Sequence, residues 1–270
     1  MFVTGSLRRA YALSWIVVVV TAVASIVGLI VQTTFYPTEE LRQAYVINDA
    51  LNLIIGLPIL LVSMWLTQRG RMVGLLLWPG GLLYGVYNYT AYIFGMPPRW
   101  NIAIYLIIVL LSAYAIFEIL VNMDKQAIQA QIADAIPAKT TGWLLVVFGA
   151  LFIARAGALM VDASLNQTAI PITELGTSIA DIFLSLFWIA GGVLLLRRMP
   201  LGYVSGLGLL FAVCALFIGL ILLLLFQPVF NGTPLILIDV IVVAVMGLIF
   251  FVLFGLFMRG VVQKGALLVS

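Results

Sequence analysis

A chain of 270 residues that is 64% hydrophobic, 9% charged and weakly basic at +3, with a mean hydropathy of +1.24, lies far from the soluble range, where about 45–50% of residues are apolar and about 25% charged. It holds no histidine and one cysteine, Cys214. That excludes a disulfide, a Cys-x-x-Cys redox pair, bis-histidine haem, most zinc sites, a histidine proton relay and a Ser-His-Asp triad.

The apolar runs are long and show no strand-type alternation. The fold class expected is therefore an all-α integral membrane protein with about eight transmembrane helices, since about 20 helical residues cross a hydrocarbon core of about 30 Å. The runs predict spans at 10–34, 44–67, 72–95, 100–121, 140–162, 173–196, 201–226 and 235–259. The first follows Arg8 and Arg9 and is too long for a signal-peptide core of about 7–15 residues, so it is read as a span. With the N-terminus inside, the cytoplasmic side collects Arg8, Arg9, Arg69, Arg71, Lys125, Lys139, Arg197, Arg198, Arg259 and Lys264, and the opposite side only Arg42 and Arg99. The positive-inside rule then places both termini in the cytoplasm, with a bacterial cell membrane as the expected location. These basic residues stand where topology puts them, and no nucleic-acid partner is expected.

In the second span Tyr45, Asp49, Asn52, Gly56 and Ser63 share a helical face, and Pro58 predicts a kink beside Gly56. The third carries Trp78, Pro79, Gly80, Gly81, Tyr84, Tyr87, Asn88, Tyr89 and Tyr92. Tyr89 and Tyr92, with Trp100 and Tyr105 across the loop, fit an interfacial aromatic belt. Tyr84 and Asn88 lie deeper, one turn apart, and either bind a polar headgroup or hydrogen-bond between helices. Residues 122–139 form a cytoplasmic amphipathic linker with Ile128, Ile132 and Ile136 at four-residue spacing, lying on the membrane surface or packed under the bundle.

The fifth span contains Arg155 and the sixth repeats the polar stripe as Glu174, Ser178, Asp181, Ser185, Trp188 and Gly192. At about 1.5 Å per residue, Arg155 lies about 20 Å in from one membrane face and Asp181 about 13 Å in from the other, so the two reach a similar depth. A mid-membrane charge costs about 2.5–3.5 kcal/mol on insertion scales, and the two should pair or meet water. A ligand-recognising arginine with its counter-charge and a self-satisfied structural ion pair remain equal readings. Asp239 opens the eighth span at shallower depth.

Landmarks recur between halves: Trp15 with Trp143, Pro37-x-x-Glu40 with Pro171-x-x-Glu174, and Arg69 and Gly74 with Arg197 and Gly202. They predict two parallel four-helix repeats, residues 1–121 and 140–270, related by a pseudo-twofold axis along the membrane normal.

No nucleophile and base pair is evident, so no catalytic residue, metal or cofactor is expected. The function expected is a carrier-like protein binding a small molecule or ion at an outward-facing polar site, with Arg155, Asp181, Asp49, Asn52, Asn88, Tyr84 and Asp239 as candidate ligand-binding residues. The alternative is a non-catalytic membrane subunit of a larger complex, binding quinone or lipid in the tyrosine-rich outer region. Expected partners are the lipid bilayer, a small-molecule ligand or quinone, and a membrane-protein partner or second copy.

Overall fold

The computed structural model describes residues 2–265 apart from Thr233, with the backbone alone at 229–231. In chain order the helices are α1 (Arg8–Ile30), α2 (Gln32–Phe35), α3 (Glu39–Leu51), a π-helical segment (Asn52–Gly56), α4 (Leu57–Gln68), α5 (Met72–Phe94), α6 (Asn101–Val121), α7 (Lys125–Ile132), α8 (Ala138–Asn166), α9 (Ile172–Leu196), α10 (Pro200–Asn231) and α11 (Leu237–Gly265). Among the described residues seven helices are long and apolar enough to cross a membrane: α1, the continuous run Glu39–Gln68, α6, α8, α9, α10 and α11. The protein is thus an all-helical, multi-pass integral membrane protein.

Helix α5 is as long as α1, at 23 residues, but its apolar run is diluted by Trp78, Pro79, Gly80, Gly81, Asn88 and its tyrosines. Its position explains that composition. It packs against α4, α6, α9, α10 and α11 and is buried along most of its length, so its polar groups meet other helices and not lipid. Helices α1, α3–α4, α5 and α6 close into a ring through the contacts of α1 with α3, α4 and α6, and of α5 with α4 and α6. The extended residues before α1 tie into the α6–α7 junction, where Thr4 N donates to Asn122 O and Asp124 N to Phe2 O. In the second half α8 packs along α9, α9 against α10, and α10 against α11.

The element ends have local causes. The second span starts earlier than its apolar run because Thr38 caps α3, its hydroxyl accepting from Leu41 N, and Glu39 and Glu40 sit in the first turn, where the helix dipole favours acids. The kink expected at Pro58 takes the form of the π segment. Proline has no N–H to give the preceding turn, and Leu57 N reaches back to Asn52 O. The linker helix α7 turns Ile128 and Ile132 into the protein, both fully buried, against α10 and α11.

Two interhelical turns share the same four backbone hydrogen bonds. In α4–α5, Arg69 N donates to Trp65 O, Gly70 N to Thr67 O, Arg71 N to Leu66 O and Gly74 N to Arg71 O. In α9–α10 the same pattern joins Arg197 N to Val193 O, Arg198 N to Leu195 O, Met199 N to Leu194 O and Gly202 N to Met199 O. The second residue of each turn is left-handed, Gly70 at φ 72° and Arg198 at φ 54°. The shift that carries Arg69 onto Arg197 also carries Gly80 onto Gly208. These two glycines face each other where α5 crosses α10, and a Cβ on Gly80 would run into the Gly208 carbonyl.

Candidate functional site

A cavity of about 720 Å³ lies between α3, α5, α8, α9, α10 and α11. Its mouth carries Glu40 and Gln43 from the start of α3, Thr173 and Glu174 from the start of α9, and Gln227 from the end of α10. The floor is aromatic, with Phe148, Phe152 and Trp188. From Glu174 to Trp188 the wall of α9 runs about 21 Å at 1.5 Å per residue. The cavity therefore reaches far into the bundle from the end opposite the basic turns.

Arg155 and Asp181 meet inside it. Arg155 Nη2 donates to Asp181 Oδ2 at 2.8 Å, and Tyr87 Oη donates to Asp181 Oδ1 at 2.9 Å. The pair is asymmetric: the Asp181 side chain is 3% exposed and that of Arg155 is 53% exposed. The carboxylate has a donor on each oxygen, while the arginine side chain, part of the cavity lining, stays half exposed. Guanidinium carries five N–H donors in a planar fork, so the arrangement can hold an acceptor-bearing group beside the ion pair.

The α8–α9 interface sets the level at which they meet. Gly142, Gly149, Ala156 and Ala163 recur every seventh residue on the buried face of α8, and Ser178, Ser185 and Gly192 do the same on α9. Small side chains let the backbones approach closely, so a Cβ on Gly149 would stand 2.9 Å from Ser185 O. Ser178 and Ser185 are fully buried, and their hydroxyls have no hydrogen-bond partner among the described residues. They act as packing groups.

Of the other residues singled out from sequence, Asn88 and Tyr84 line the cavity. Asn88 Nδ2 donates to Asn52 Oδ1 at 3.2 Å, which places Asn52 one layer behind it. Tyr84 is buried against the π segment, 2.9 Å from where a Cβ on Gly56 would stand.

Asp49 lies elsewhere. It is 1% exposed, accepts from Tyr36 Oη at 2.6 Å and from Tyr92 Oη at 3.1 Å, and faces Gly28, where a Cβ would run into its carboxylate. Burial first, and then the Asp49 carboxylate, push the Tyr36 phenol well above its ordinary value, which keeps it a donor. Tyr45, Tyr89, Tyr92 and Tyr105 pack together beside this carboxylate with ring centroids 4.3–5.5 Å apart. The tyrosine-rich region is thus closely packed. Asp239 is exposed in the first turn of α11.

Residues that the sequence did not single out as ligand-binding are Tyr87, the second donor to Asp181, and the aromatic floor. Trp188 is almost completely buried there, and its Nε1–H has no acceptor among the described residues. Among those residues no group of His, Cys, Asp and Glu side chains is placed to hold a metal ion. No protein-family model, curated protein or solved structure matches the chain.

Proposed function

We propose that this is a carrier-like membrane protein of eight spans that binds a small molecule beside Arg155, in a cavity opening on the side away from the cytoplasm. The observation that carries this reading is the cavity's reach to a half-exposed guanidinium at mid-bundle. An arginine within spanning helices is costly, and such groups face an interior or a water-filled path. A purely structural pair would close around both partners, and here only the acid is enclosed.

The topology proposed is two parallel four-helix repeats, with α5 as the third span and both termini cytoplasmic. The matched turns support the repeat, as does the meeting of Gly80 with Gly208, because a twofold axis brings a residue against its own counterpart. The basic turns support the orientation: Gln129 Nε2 donates to Arg198 O and Gln131 Nε2 to Lys264 O, gathering α7, the α9–α10 turn and the end of α11 at one end of the bundle.

Native mass spectrometry of the chain extracted in mild detergent tests the binding role. A retained molecule of defined mass, lost from Arg155→Gln/Asp181→Asn, is the expected result. Bulk lipid alone, equal in both proteins, would overturn it.

A further inference from the structure

The cavity has two chemically distinct walls. Helices α3, α5 and α9 contribute Gln43, Asn48, Tyr87, Asn88, Thr177 and Asp181; α10 and α11, apart from Gln227 at the mouth, contribute Leu216, Leu220, Leu223 and Met246. Arg155 reaches from the phenylalanine-bearing face of α8 to Asp181 and so stands on the seam. Below it the rings of Phe148, Phe152 and Trp188 close the floor, with Phe148 5.3 Å and Phe152 5.7 Å from Trp188 between centroids. A ligand in this space is offered charge and hydrogen bonds along one wall and a largely hydrocarbon and aromatic surface on the other and beneath.

The apolar wall also has an open flank. Helix α8 meets α11 through Phe148 and Phe250, whose centroids are 4.4 Å apart. Beyond that contact α8 and α11 are not closely packed, and the cavity-lining side chains Leu220 and Met246 beside it are 43% and 42% exposed. The aqueous mouth, by contrast, carries Glu40 and Glu174, which repel an anion arriving from water.

We infer that the ligand is an anionic single-chain amphiphile, whose carboxylate or phosphate lies on the free edge of the Arg155 guanidinium and whose chain lies against the phenylalanine and leucine wall, entering from the bilayer between α8 and α11. This rests on the binding role proposed above and names its ligand class. The charge sign follows from Asp181, which is already answered by Arg155 and Tyr87 and leaves unpaired donors, not acceptors, for the newcomer. Arginine's fork suits carboxylate and phosphate alike. A volume of 720 Å³ falls in the range of about 300–1,000 Å³ that takes one drug-sized molecule, which suits one chain better than a diacyl lipid.

Tryptophan quenching by brominated chains tests it on the full chain in phosphatidylcholine nanodiscs. The probes are 11-bromoundecanoate, 11-bromoundecyl phosphate, 11-bromoundecanol and an 11-bromoundecyl trimethylammonium salt, each corrected for partition into empty discs. The two anions should quench at concentrations about tenfold or more below the alcohol and the cation, and Trp188→Phe should remove that saturable component. Arg155→Gln/Asp181→Asn should raise the anions' half-quenching concentration to that of the alcohol while keeping the Tyr87 hydrogen bond and the fold. The carboxylate and phosphate arms tell which headgroup is preferred. Equal quenching by all four probes, or the same preference in the double variant, would overturn the assignment. If native mass spectrometry finds an Arg155-dependent molecule without a chain, the binding role stands and the amphiphile assignment falls. If no Arg155-dependent molecule or quenching is found, both fall.

Discussion

Removing the Arg155 side chain should destabilise the protein mainly through what it leaves behind. In Arg155→Ala the Asp181 carboxylate, 3% exposed in the intact protein, keeps Tyr87 as its remaining donor. Breaking a buried pair from one side costs about 3–5 kcal/mol. The cavity admits water to the guanidinium side, which lowers the expected loss to about 2–3 kcal/mol, because water can reach the vacated position. Asp181→Asn in the same chain removes the stranded charge, and its amide oxygen can still accept from Tyr87. The double variant should therefore regain about 1–2 kcal/mol relative to Arg155→Ala, a positive coupling of the kind double-mutant cycles isolate. Reversible unfolding in mixed micelles, followed by circular dichroism at matched detergent fraction, measures all four corners of the cycle. A double variant no more stable than Arg155→Ala would refute the view that the enclosed carboxylate is what makes the single change costly.

Asp49→Ala should cost about 1–3 kcal/mol, since it strands the buried Tyr36 hydroxyl and leaves Tyr92 only its 3.3 Å bond to Tyr45 O, while Asp49→Asn should cost less than half of that; the same unfolding assay reads both. Arg198→Gly should stabilise by about 0.5–1 kcal/mol, because a left-handed L-residue at φ 54° costs about 1–2 kcal/mol that glycine avoids, less glycine's entropy. Gly80→Leu should prevent the close α5–α10 crossing and be read as loss of the folded fraction by size-exclusion chromatography. Glu174→Cys should react with a membrane-impermeant maleimide on intact cells and Gln126→Cys only after lysis, Cys214 being buried and silent; the reverse pattern would invert the topology.

Spacing in the sequence accounts for the level at which Arg155 and Asp181 meet, because helical rise converts residue number into depth. It accounts equally for the seven long apolar helices, whose apolar runs are long compared with the error in their ends. It says much less about which tyrosine matters. Tyr84, Tyr87, Tyr89 and Tyr92 follow one another on α5, and only the rotation of that helix against α9 selects Tyr87 for Asp181 and turns Tyr92 toward Asp49. Asp49 shares a helical stripe with Asn52 and so reads as lining, but its neighbours Tyr36 and Tyr92 come from other segments and enclose it. Ile128 and Ile132 present the same periodicity to a lipid surface and to a protein floor. Tertiary contact with α10 and α11 decides between them.

The central place of α5 bears on how the chain is made. As the third of the eight spans proposed above, with its proline, glycines, Asn88 and tyrosines, it would gain less on entering hydrocarbon than the leucine- and isoleucine-rich helices beside it. Threaded alone through a translocon, it would tend to slip back toward water. Its successor α6 follows a loop from Gly95 to Trp100 and packs directly against it, so the two can partition as a hairpin in which α6 supplies the greasy outer surface. On that topology, insertion of α5 would depend on synthesis of a segment that comes after it. A ribosome stalled between Phe94 and Val121 would leave the future hub of the bundle outside the bilayer, exposed to quality-control proteases.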